Sequence, residues 1–201
     1  VTTNRAKYDQ GSASTSATTL KAALVPRTQN PSALSGAYTV EIAGYTPSES
    51  DELRKAKNPV NLRPETMGKS AMLGSLEDTL AMSKTIKNVQ PCLDFAHLHA
   101  RPGDGTMNSV KEWTQILEVY QAALGKEALK NLHIHLSGIE YGPKGEKHHL
   151  ALAESDLKIN FLFLVLREFE CGGRILCESP IMEDDALNMK KAWMKASGEK
   201  E

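Results

Sequence analysis

The chain has 201 residues, with 24 Lys+Arg against 25 Asp+Glu, a formal net charge of -1, and 40% hydrophobic and 24% charged residues. These are the proportions of an ordinary globular chain, which excludes disorder over the whole length and leaves room for one folded unit plus an irregular end. The near-neutral balance removes the argument for a basic nucleic-acid binder, while leaving open a protein that meets phosphate through bound cations.

Residues 1–30 carry no sustained period of 2 or 3.6, and 11–19 read as flexible polar chain. Val1 in place of Met suggests a chain whose true beginning is missing or altered. Residues 37–42 alternate as one strand, and 48–57 fit a short helix capped by Ser48 or Ser50. Residues 1–57 are therefore expected to be an irregular or divergent N-terminal segment. Beyond it the pattern is regular. Residues 60–65 read as a strand; Ser75 opens an amphipathic helix running to about 87; 91–95 is strand-like. Residues 109–124 form a helical stretch with Val110, Trp113, Ile116, Leu117, Tyr120 and Leu124 on one face. A strand at 132–136, a long loop at 138–149, a helix at 154–169, a strand at 174–177 and a closing helix at 183–195 complete the chain.

Four consecutive βα units imply parallel strands joined by right-handed crossovers. No Gly-rich GxGxxG or Walker turn follows a strand, so a (β/α)8 TIM-barrel type is favoured over an open nucleotide-binding sheet. A whole barrel takes roughly 250 residues. Residues 58–201 are accordingly expected to be its C-terminal half, with the N-terminal half incomplete or divergent. The cysteines Cys92, Cys171 and Cys177 lack CxxC spacing; they read as small apolar core groups in a reducing, cytoplasmic setting. The longest apolar run, 161–166, is too short for a membrane span, and no membrane partner is expected.

All six histidines lie between His97 and His149, and the candidate ligands gather at strand ends: Glu65 at the first, Asp94 and His97 at the second, His135 at the third, Glu178 at the fourth. In parallel α/β folds those carboxyl ends build the active-site face. Carboxylates and imidazoles converging without nearby Lys or Arg call for a divalent cation, Zn²⁺ first and Mn²⁺ next. With no cysteine expected close by, the site reads as open and catalytic rather than structural. The loop adds Glu146 and His148, which would complete a further position with His97. His133 and His135 share a strand face, so either could be the ligand.

The runs LRPETMGK at 62–69, CLDFAH at 92–97, HLSG at 135–138, EKHH at 146–149 and CESP at 177–180 together resemble the endonuclease IV family of apurinic/apyrimidinic endonucleases, within the xylose-isomerase-like barrels. The likeness spans about residues 58–196. It implies up to three zinc ions, with Glu65 bridging two of them, Asp94, His135 and Glu178 completing one shell, and His97, Glu146 and His148 forming the third position. It selects His135 over His133 and His148 over His149. Glu146 stands where the family commonly has Asp, and the two histidines that the family draws from its first barrel half have no counterpart before His97. The implied activity is hydrolysis of the phosphodiester 5′ to an abasic site in duplex DNA, with Glu65 and Glu178 as catalytic carboxylates. A one-metal sugar isomerase or epimerase of the same barrel needs only Glu65, Asp94, His135 and Glu178. A third expectation is a half barrel that is inactive or pairs with another chain.

Overall fold

The structure, a computed structural model, describes residues 47–57 and 60–198; the strand expected at 37–42 and the stretch 1–30 lie outside them. Helix α1 (Pro47–Lys55) is the short helix expected there, and the Ser50 hydroxyl ties it to the Lys87 carbonyl. The element order that follows is helix α2 (Leu76–Thr85), strand β1 (Cys92–Asp94), helix α3 (Phe95–Ala100), helix α4 (Val110–Leu124), strands β2 (Leu132–Leu136), β3 (Gly138–Gly142) and β4 (Gly145–Leu150), helix α5 (Ile159–Glu168), strand β5 (Gly173–Cys177) and helix α6 (Met182–Ser197).

Strands β1, β2 and β5 form a parallel sheet in that order. Residues 60–65 join it only through bridges at Leu62–Val89 and Glu65–Cys92. The expected strand is interrupted there by Pro64, which has no N–H to give to a ladder. The helices begin where their caps say. Ser75 accepts from the Asp78 amide while the Asp78 carboxylate takes the Ser75 amide, and Glu112 takes the amides of Asn108 and Ser109 ahead of α4. Helix α5 starts at Ile159 rather than 154, because 155–158 are held extended: Asn108 accepts from the Lys158 amide and donates to the Asp156 carbonyl.

Alternation along the strands divides the sheet into two faces. Leu132, Ile134 and Leu136 are buried with Leu93, Trp113, Leu117, Leu162, Phe163 and Leu166 in one apolar core beneath α4 and α5. The opposite face carries Cys92, Asp94, His133, His135, Arg174 and Leu176, of which Leu176 is 44% exposed. The result is half a (β/α)8 barrel, with its inner face polar at the carboxyl ends. Strands β3 and β4 lie outside this sheet as an antiparallel hairpin, where the sequence reads as loop.

Candidate metal centre

Asp94 is the last residue of β1 and at the same time the cap of α3: its Oδ1 accepts from the His97 amide at 2.8 Å. The cap turns the chain so abruptly that His97 stands in the first turn of a helix rather than at the strand end expected of it. Its Nδ1 donates to the Thr66 carbonyl at 2.9 Å, and the Thr66 hydroxyl bonds the backbone of Asp94. Asp94 is fully buried, and its Oδ2 has no hydrogen-bond partner; His97 Nδ1 lies 3.4 Å away but is already given to Thr66.

His135 Nδ1 lies 3.2 Å from Glu65 Oε1 and 3.0 Å from Glu178 Oε1. One imidazole nitrogen carries at most one proton, so it can satisfy only one of the two carboxylates. Ligand atoms of Glu65, Asp94, His135 and Glu178 all fall within 4.8 Å of one another. Asp94, His97 and His149 make a second such group beside it, with Glu146 Oε2 3.6 Å from His97 Nε2.

The hairpin delivers that second group. Its ladder slips by one residue between Glu140 and Tyr141, pairing Glu140 with His148 but Tyr141 with Glu146, so Lys147 is an extra residue. The bulge reverses the alternation. Lys147 and His148 both face Glu140, at 2.8 and 3.4 Å, whereas Glu146 and His149 face His97. His148, carried into the site by resemblance, is therefore 60% exposed on the outer face, and His149 occupies the position inside. The hairpin is seated by Gly145 (φ +92), whose backbone bridges Lys69 and lies against the Gly68 carbonyl with no room for a side chain. It is further anchored through Tyr141, which donates at 2.7 Å to the Asp156 carboxylate that also meets His99 at 2.9 Å, and His99 is itself buried against the Met107 carbonyl at 2.8 Å.

His149 Nδ1 donates to the Glu178 carbonyl at 3.0 Å. Both His97 and His149 thus spend Nδ1–H on a backbone carbonyl and turn Nε2 toward each other across 3.2 Å. Two lone pairs at that separation repel unless a cation or a proton lies between them. With the orphaned Asp94 oxygen and the doubly claimed His135, this donor set fits a divalent cation. The electrostatics agree. Burial alone would lower His97, but Glu65, Asp94, the Thr66 carbonyl and Glu146 hold it up to about 9. Burial would raise Glu65, yet the 3.4 Å approach of His97 Nδ1 and the charges of His135 and His97 bring it down to about 2. Burial pushes Asp94 up to about 6, against the pull of His97.

Two further residues belong to this picture. Cys92, read from sequence as a core group, turns its sulfur to His133 and His135, all three ligand atoms within 4.8 Å; its i, i+2 relation to Asp94 is the signal that places it. Burial and the charges of Glu65, Asp94 and Glu178 push its thiol up. Arg101 is committed to the carbonyls of Met67, Lys69 and Met72 at 2.8 to 3.0 Å.

A family model described as xylose isomerase-like TIM barrel matches residues 49–197. The chain belongs to that family. This xylose isomerase-like chain is 42% identical over 143 residues to an uncharacterized protein of Methanocaldococcus jannaschii, covering 71% of itself and 52% of the relative. It also superposes on the crystal structure of a D-tagatose 3-epimerase-like protein with a TM-score of 0.51 at 18% identity, covering 75% of itself and 51% of that chain. That likeness is one of fold. The chain spans about half the length of the relatives it matches. No helix among the described residues is long and apolar enough to cross a membrane.

Proposed function

We propose that this chain carries the metal centre of a zinc-dependent phosphodiesterase acting 5′ to abasic sites in duplex DNA. The observation that supports it is the pair of adjoining ligand groups sharing Asp94. A one-metal isomerase needs only the first of them. Glu65, Asp94, His135 and Glu178 would hold one cation, and Asp94, His97 and His149, with Glu146 beside them, a second. Bound cations of this kind neutralise phosphoryl charge and lower the pKa of water at neutral pH.

The chain's own groups then divide the remaining work. The Thr66 and Glu178 carbonyls take the Nδ1–H of His97 and His149 and so direct the Nε2 of each to the site side. Glu65 and Glu178, both partly open to solvent, flank the hollow where a proton must be taken up or relayed. Lys69 and Lys144 are exposed and lie beside one another at the lip, because the Lys69 backbone bridges Gly145; they suit contacts to flanking phosphates. A nucleotide turned out of the duplex reaches such a recessed centre, and extrusion costs least where the base is already absent.

The test is incision of a duplex with a single abasic site by the zinc-loaded chain, with Glu178→Gln and a chelated sample alongside. Nicking 5′ to the lesion, lost in both controls, is expected. An intact duplex together with interconversion of ketoses would establish the second reading, a sugar isomerase or epimerase, which the four-ligand group and the likeness to a D-tagatose 3-epimerase-like protein favour.

A further inference from the structure

We infer that Cys92, His133 and His135 form an additional cation site, one strand layer below the carboxylate group, for a borderline-soft divalent ion of the zinc type. Strand register builds it. Cys92 is the direct partner of His133 across β1 and β2, and His135 lies two residues further on the same face. The three ligand atoms lie within 4.8 Å of one another, and the two imidazole rings are 5.3 Å apart. Because a parallel ladder fixes these spacings, no loop has to be ordered to bring the donors together.

The donor chemistry differs from that of the layer above. A thiolate with two imidazoles is soft, where Glu65, Asp94 and Glu178 are hard, so the two layers discriminate between cations rather than duplicating one another. Cys92 is buried as a small apolar group can be, but packing does not account for the two histidines beside it. The core is made by their register neighbours Leu93 and Ile134, which face the helices, while Cys92 and His133 face the barrel interior. Burial and the charges of Glu65, Asp94 and Glu178 keep Cys92 a thiol in the metal-free chain, with Arg63, held by Gln90 and the Pro91 carbonyl, opposing them only weakly. Binding exchanges the Cys92 S–H proton for the cation and releases that proton to solvent; His133 and His135 contribute neutral nitrogens. Sharing His135 couples the layers, so occupancy of the lower one withdraws a ligand from the upper.

Co²⁺ is the probe, added to the metal-free full chain. A sulfur-to-cobalt charge-transfer band in the near ultraviolet is expected, absent in Cys92→Ser, weakened at least about tenfold in affinity by His133→Gln, and retained in Glu146→Gln. Cobalt bound without that band, or a band unchanged in Cys92→Ser, overturns the site. Should Cys92→Ser not fold, His133→Gln at its half-exposed position decides alone, and a band indifferent to it overturns the site equally. Incision of abasic DNA is scored separately. A band without incision sinks only the proposed function, and incision without a band sinks only this site.

Discussion

Glu65, Asp94, His135 and Glu178 stand on parallel strands or at their ends, whereas Glu146 and His149 reach the same hollow from an antiparallel hairpin outside the sheet. The first set is held by a ladder that also bounds the apolar core. The second depends on a bulge, on a glycine pressed against Gly68, and on the bonds of buried His99 and of Tyr141 to the exposed Asp156 carboxylate. A ligand on the sheet cannot move without disturbing the fold; a ligand on the hairpin can be lost while the barrel strands persist. The two halves of the centre should therefore fail in different ways.

Asp94 belongs to both halves, and Asp94→Ala should have the largest effect, weakening cation binding at both groups by about 100-fold and removing the cap of α3 at a further ~1 kcal/mol of stability. Titration calorimetry on the variant checks this, and loss confined to one group would show that Asp94 is not shared. Next comes Gly145→Val, which forces a β-branched residue into φ +92 against the Gly68 carbonyl. It should cut affinity at the His97 group by about tenfold while the strand group keeps its ion, a split that no global destabilisation would produce.

The metal-free protein should also respond to pH. His97 rises from 6.5 to about 9 on folding, so its contribution is fully present below 6.5 and is lost as pH climbs through 9. Glu65 falls from 4.5 to about 2, so its contribution is present above 4.5 and is lost only as pH drops through 2. Between pH 6.5 and 9 the chelated protein should melt progressively lower by several degrees, and zinc affinity should increase as the competing proton leaves. Flat melting curves for the chelated protein would disprove the pairing. The smallest effect is expected of His148→Ala, about twofold or less in cation affinity, since its partner Glu140 is an exposed one. His149→Ala should match Gly145→Val. Equal losses at 148 and 149 would mean that the bulge is misplaced.

The same contrast explains what was legible in the sequence. The strands at 132–136 and 174–177 and the helices at 76–85 and 110–124 announce themselves through apolar alternation and caps, and a carboxylate at a parallel strand end is informative by topology alone. The hairpin has no such signature. Both of its faces are polar along Glu146, Lys147, His148 and His149, and a bulge that reverses parity leaves no trace in residue type. His97 was displaced from strand to helix for a readable reason, the Asp94-x-x-His97 spacing of a capped first turn. Cys92 was hidden by the general habit of cysteines to behave as small apolar groups, although its place two residues before Asp94 puts it on the ligand face.

Arg101 invites a different consideration. Its guanidinium sits inside a collar of oxygens from Met67, Lys69 and Met72, in the loop that follows Glu65 and Thr66. Guanidinium keeps its charge at every pH at which a protein stays folded. The loop beside the hollow is thus pinned by a permanent cation, while the hollow itself holds groups whose charge follows pH. A clamp that no change of pH releases therefore stands beside a cluster whose net charge pH decides.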